Sequence, residues 1–355
     1  MSISSEQLAS FFRYGAWFSP HPDHILLAGG VKAWSQSPWA GHYCFYAPDF
    51  FLEEKTPWLI PEFVEELRSA DLLLQLQQDP PEKPEIDWHP PEAKPFQQDF
   101  VAIQNRIRQQ ELLKAVPIVV EQGRGRTDDS FKHYLFQALL QVKDPLQLYG
   151  LWDPEQGILG GTPETLLLQK HNTQELITVA LAGTRPRIPA VSSRPSLLAD
   201  PKEQQEHAIV VEHICKIFQP LGQIECEPTQ VLSLSLLEHL ETRIHIQLHQ
   251  PIALPTLIRL LHPTPALGVA PKTPESLAWL KGLHYQAERQ RFGAPFGLLR
   301  PDGSFHALVA IRNLQWRSNI LKLAAGCGVV ASSQLQQEWQ ELHSKRSFVK
   351  AMLQL

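Results

Sequence analysis

Glu338, Glu341 and Lys345 stand at spacings i, i+3 and i+7 in the stretch Gln334 to Gln354. At ~100° per residue that spacing puts all three on one side of a helix. Leu335, Leu342, Val349 and Met352 share that side, while Gln336, Gln340, His343, Ser347, Lys350 and Gln354 fall opposite. Three charges therefore point along the apolar stripe. Two readings are open. Glu341 and Lys345 can pair on a solvated face, or the charges face inward to serve a metal, a ligand or a reaction, since an unpaired buried charge is costly.

Other residues extend the same chemistry. Glu206 lies one turn before Val210 on the border of the stripe Val210, Val211, Ile214, Ile217 and Phe218. It is either a solvated acid or a companion for Glu341, and two carboxylates that meet offer hard oxygen ligands for which Mg2+ is the default. Lys114 opens the apolar run Ala115-Val116-Pro117-Ile118-Val119-Val120. It either snorkels to water or sits where apolar surroundings lower its pKa toward that of a general base. Glu164 follows Gly160-Gly161-Thr162-Pro163 at the mouth of an apolar strand; a lone turn glutamate there is ordinarily solvated. Arg312 ends a strand expected over Ser304 to Leu314 with both faces apolar. It needs a carboxylate, from a structural glutamate or from a ligand held by the planar fork. Leu181-Ala182-Gly183-Thr184-Arg185-Pro186-Arg187 reads as a glycine turn whose free N–H groups could hold an oxyanion.

Several elements must position these groups. Asp200-Pro201-Lys202-Glu203 combines an N-cap, a proline at the first helical position and an acidic third residue, so a helix carrying Glu206 starts there. Gln97 to Leu113 reads as a helix leading into the Lys114 strand, and Leu260 to Gly268 as a rigid turn. Upstream, Ile25 to Ala28 and His42 to Tyr46 read as short strands, Pro61 to Leu76 as a helix, and the proline-rich Gln78 to Pro95 as an extended connector.

The chain of 355 residues, 43% hydrophobic, is long enough for a sizeable core. Its net charge of -5, without a Lys/Arg block, argues against nucleic acid and anionic membrane as partners. Cys44, Cys215, Cys226 and Cys327 lack C-x-x-C spacing, which argues against a zinc site or a disulfide framework and suits a reducing cytoplasm. No export leader is evident from Met1 to Pro20, and no apolar run approaches the ~20 residues of a membrane span.

Together these stretches resemble the chorismate-utilising enzymes, which include isochorismate, anthranilate, aminodeoxychorismate and salicylate synthases. The resemblance runs from roughly Phe100 to Leu355 and rests on Leu261-His262-Pro263-Thr264-Pro265-Ala266-Leu267, Asp200 to His207, Ala310-Ile311-Arg312, and Glu338-Trp339-Gln340-Glu341 with Lys345. It implies an α/β fold of α+β type, one large domain of packed antiparallel sheets flanked by helices. Residues 1–95 would be a divergent N-terminal part and residues 96–355 the chorismate-binding catalytic region.

Carried over residue by residue, the resemblance implies Mg2+ held by Glu206 and Glu341 with Glu338 behind them. Arg312 and Lys345 would clamp the enolpyruvyl carboxylate, aided by backbone N–H groups around Gly326 and Gly328. Gly183, Thr184, Ala266, Leu267 and Phe292 would line the substrate. Lys114 would be the general base and Glu164 the general acid of the isochorismate branch. Ala182 replaces the nucleophilic lysine of common aminodeoxychorismate synthases, Lys114 the usual glutamine of anthranilate synthases, and Ala266 the usual threonine of salicylate synthases. All three point to an isochorismate synthase, a cytoplasmic monomer needing no amidotransferase partner. The alternatives are a salicylate, anthranilate or aminodeoxychorismate synthase, or a non-catalytic chorismate-binding relative. Two departures stand out: the family's arginine after the lysine is missing from Ala115-Val116-Pro117-Ile118-Val119, and Val269 replaces a usual glycine.

Overall fold

A computed structural model describes residues 3–171, 173–187 and 196–355. Two large sheets, every neighbouring pair antiparallel, form a sandwich. The nine-stranded sheet runs, in spatial order, Phe63–Arg68, His24–Gly29, Gly15–His21, Gln147–Trp152, Gln156–Thr162, Asn313–Arg317, Ile320–Gly326, Ile118–Gly125 and Ile86–His89. In the ten-stranded sheet the central strands are Leu237–Leu248, Glu175–Pro186, Thr165–Gln169, Phe305–Val309 and Pro295–Leu299. Cys44–Tyr46, Trp58–Ile60 and Ala33–Ser35 extend its N-terminal-side edge.

Both faces of both sheets are covered. Phe18, Leu26, Tyr149 and Ile158 of one sheet meet Phe45, Phe296, Leu298 and Leu308 of the other in a shared core. On the outer faces, Trp17, Leu27 and Leu159 pack with Phe11, Phe136 and Val349 of three helices. Ala180, Ile244 and Val309 lie in a third core with Val210 and Ile214. Period-two alternation therefore sends apolar residues to both sides, which is why these strands read as continuous apolar runs.

Several expectations need correction. Phe63–Arg68 is an edge strand paired with His24–Gly29, and only Ser69–Leu76 is helical; Phe63 and Leu67 are spaced four apart, which fits both a helix and the same face of a strand. The connector contains the strand Ile86–His89, and the following helix is Ala93–Arg108. The strand expected over Ser304 to Leu314 is two, Phe305–Val309 and Asn313–Arg317, because the chain changes sheets at Ala310–Arg312, where Arg312 takes a left-handed φ of 52°. The Gly183 stretch is no turn. It lies within the strand Glu175–Pro186 as a bulge between Ala182 and Thr184, with Gly183 at φ 78°.

Candidate active site

Two of the chain's crossings between the sheets each carry an ionisable residue at the corner. Glu164 sits between Gln156–Thr162 of one sheet and Thr165–Gln169 of the other; Arg312 sits at the second corner. The corners are laced together: Val309 N donates to Glu164 O at 3.0 Å, and Gly161 N donates to Arg312 O at 3.3 Å. Tyr149 Oη donates to Ile311 O at 2.9 Å and Asn313 Nδ2 to Ala310 O at 2.6 Å, fixing the backbone on either side of Arg312. Two ionisable side chains are thereby held at one end of the sandwich.

A narrow pocket opens there, lined by Glu164, Thr184, Glu206, Ala266, Leu267, Phe292, Arg312, Gly326, Gly328 and Lys345, together with Leu181, Ala182, His239 and Ile311. Most of the residues singled out from sequence are therefore brought to one wall. Gly183 stands behind it, where a Cβ would come within 3.0 Å of Glu203 O. The expected oxyanion role for this stretch is not supported at Thr184, whose N–H is already donated to Glu203 Oε2 at 2.8 Å.

Helix Pro201–Phe218 brings in Glu206. Asp200 caps it as expected, its Oδ1 accepting from Lys202 N at 3.0 Å and Glu203 N at 3.3 Å. Helix Leu335–Met352 brings in Glu338, Glu341 and Lys345, all buried. The expected pair Glu341–Lys345 exists at 2.5 Å, but in the interior, with Lys345 Nζ also donating to Gly326 O at 2.8 Å. Glu206 is no solvated acid either: it is 5% exposed. Burial would raise its pKa, but Lys114, Lys202 and Lys345 hold it well below the usual carboxylate range.

Lys114 is fully buried, yet its surroundings are not the purely apolar ones expected. Its Nζ lies 3.0 Å from Glu206 Oε1. Lys114–Ala115 forms a two-stranded ribbon with Val269–Ala270, Val269 facing Ala115. The Val269 departure thus pairs directly with the residue after Lys114. Gly328 makes the Lys114–Glu206 approach possible, because a Cβ there would come within 2.1 Å of Glu206 Oε1 and 2.5 Å of Lys114 Cε. Gly328→Ala is expected to lower stability by about 1 to 3 kcal/mol, the usual cost of overpacking, measured from the denaturant midpoint.

Glu164 is buried at 2% exposure, not solvated, and its Oε1 has no hydrogen-bond partner. Burial pushes its pKa up to about 8 against the opposing pull of Lys114, Arg312 and Lys345. It is a protonated carboxylic acid at neutral pH.

Sequence reasoning missed three side chains. His239, in Leu237–Leu248, accepts from Arg312 Nη2 at 3.2 Å; burial first, then Arg312, holds its pKa well below the ordinary imidazole value, so it is neutral. It shares a strand phase with buried Leu237, but the bulge opposite shifts the buried phase to Leu240, Thr242 and Ile244, which hides the pattern. Arg312 was expected to need a carboxylate partner. It has instead this neutral imidazole and a buried Nε without an acceptor. The other two are Glu203 and Lys202. Lys202 Nζ lies 3.2 Å from Glu203 Oε1, 3.1 Å from Glu206 Oε2 and 3.2 Å from Glu338 Oε1. Burial and neighbouring acids push Glu203 up to about 8 and Glu338 up to about 7. Both signals lay in the Asp200 to Glu206 stretch, where the first turn was read as capping alone.

Among the described residues no three His, Cys, Asp or Glu side chains stand together in an arrangement that could hold a metal ion as it is. The donors nevertheless fit a hard cation: they are carboxylate oxygens, both oxygens of Glu338 are buried without a directed hydrogen bond, and an ammonium bridges three of the acids. No helix among the described residues is long and apolar enough to cross a membrane.

The class of fold is defined by comparison. The sandwich superposes on the menaquinone-specific isochorismate synthase MenF of Escherichia coli with a TM-score of 0.80, over 99% of this chain and 92% of that one at 21% identity, a likeness of fold. Residues 44–354 match the chorismate binding enzyme family, and the chain belongs to it. In sequence it is 32% identical over 212 residues to isochorismate synthase MenF of Escherichia coli strain K12, covering 58% of this chain and 48% of that protein. It is 31% identical over 201 residues to the salicylate biosynthesis isochorismate synthase of Pseudomonas aeruginosa, covering 55% and 41%. The chain thus spans about half the length of the curated relatives it matches.

Proposed function

We propose that the chain converts chorismate to isochorismate in a Mg2+-dependent reaction, adding water at C2 and expelling the C4 hydroxyl. One observation carries the reading: a buried, protonated Glu164 lines the pocket as a proton donor, and the buried Lys114 stands just behind that lining, its Nζ 3.0 Å from Oε1 of the lining residue Glu206. Lys114 takes a proton from the attacking water. Glu164 gives one to the departing C4 oxygen, so one water enters and one leaves. Arg312 and Lys345 hold the enolpyruvyl carboxylate, with Thr184 and the backbone at Gly326 and Gly328 along the ring. Glu206 and Glu341 would hold Mg2+, with Glu338 and Glu203 behind them. When bound it would supply positive charge to the ring carboxylate.

Lining by Ala182 supports this over amine-forming chemistry, since no nucleophilic amine stands at that wall position. The test is chorismate with pure protein and Mg2+ in H2(18)O, products separated by chromatography. Isochorismate labelled at the C2 hydroxyl is expected; an aromatic product, an amine or unchanged chorismate would overturn the reading. Arg312→Lys is expected to raise KM about tenfold or more, because an ammonium cannot reproduce the planar fork and about 1.5 to 3 kcal/mol per charged hydrogen bond is at stake. An unchanged KM would make Arg312 structural.

A further inference from the structure

Arg289 is completely buried beside the cavity, and among the described residues no carboxylate pairs with it. Its Nη2 donates to Leu267 O at 2.9 Å and its Nε to Phe292 O at 2.9 Å. Leu267 and Phe292 both line the cavity, so one guanidinium ties two separate segments of wall together from behind. Phe50 covers the other side. Its ring centroid lies 3.3 Å from the Arg289 guanidinium carbon, its carbonyl accepts from His262 Nε2 at 2.6 Å, and its N–H donates to Gln290 O at 2.8 Å. Phe50 thereby also touches both segments, the one before Leu267 and the one before Phe292. Gly293, at φ 78°, leaves room for the guanidinium, since a Cβ there would come within 2.9 Å of Nη2.

An apolar side chain of similar volume would fill this space without desolvating a cation. What it could not do is reach two carbonyls at once in a fixed plane. We propose that Arg289 and Phe50 form a clamp that fixes the apolar wall of the site, with Arg289 a positioning residue that sets the surface on which the substrate ring rests. This rests on the reading of the cavity as a chorismate site. Leu267 and Phe292 contact the ring before and during reaction, so loosening them weakens ground state and transition state alike.

The test compares the full chain with Arg289→Met and Phe50→Leu, by steady-state kinetics with chorismate and by amide hydrogen exchange without it. In Arg289→Met, KM is expected to rise about tenfold or more with kcat within about threefold. Exchange should quicken at Leu267 and Gly268, whose N–H groups close onto Thr264 O, while the strands of the sandwich keep their protection. Phe50→Leu should give the same pattern, smaller in size, and decides the matter if Arg289→Met does not fold. Wild-type KM with wild-type exchange would overturn the clamp, as would a fall in kcat at constant KM. If the wild-type chain leaves chorismate unchanged, the proposed function fails, and the exchange pattern alone still upholds or overturns the clamp.

Discussion

Glu164→Gln is expected to lower kcat by about 10^2- to 10^4-fold with a much smaller change in KM, and Lys114→Ala to do the same, because each removes a placed proton-transfer group. Glutamine keeps the shape of Glu164 and loses only the proton, so packing at the corner should survive. The pH dependence separates the two roles. Glu164 holds its proton up to about 8 in the folded chain, so the donor form, and with it the rate, should fall away as pH rises past about 8. That limb should vanish from the residual activity of Glu164→Gln. The same raised value bears on stability with a definite sign. The folded state keeps a proton that the unfolded chain has lost, so this group's contribution declines as pH rises from the ordinary glutamate value of 4.5 to about 8. Glu164→Gln should remove that slope from denaturant midpoints. Lys114→Gln offers a further check: with the base gone, water should fail as nucleophile, whereas ammonia at high ammonium needs no base and should yield an amino product.

Chelation is expected to abolish turnover, and Glu341→Ala and Glu206→Ala each to lower it by about 10^3-fold or more, since a bound cation contributes several kcal/mol of charge stabilisation and each 1.36 kcal/mol is tenfold. Lys345 is left without its 2.5 Å partner in the first variant and Lys114 without its 3.0 Å partner in the second. Circular dichroism should be unchanged in Glu341→Ala, whose partner still donates to Gly326 O. Equal turnover with and without excess EDTA would remove the metal from the mechanism.

The helical phase of Glu338, Glu341 and Lys345 was legible because three charges on an apolar stripe break a local rule, and the break marks the site. Asp200 and Pro201 were legible because a helix start is written in consecutive residues. The resemblance supplied the sandwich; periodicity alone did not. What escaped depends on contacts remote in sequence. Lys202 meets Glu338 across more than a hundred residues, and His239 faces Arg312 only because a bulge at Gly183 displaces one strand against the next. Arg312 was read as the end of one strand because apolar neighbours run through Ala310 and Ile311, although those residues turn the corner between sheets.

The first ninety-five residues read as a stretch with little to say about chemistry, yet they are woven through both sheets: Gly15–His21 lies along Gln147–Trp152, Cys44–Tyr46 along Pro295–Leu299, and Ile86–His89 along Ile118–Gly125. A truncation starting at residue 96 would therefore bare three strand edges at once, each a row of unpaired backbone donors and acceptors. Such a chain is expected to collect in the insoluble fraction rather than fold as a minimal enzyme. Exposed side chains in this part are free to drift so long as the edges stay covered, whereas buried ones such as Trp17, Phe45 and Phe50, and the segment itself, cannot be given up.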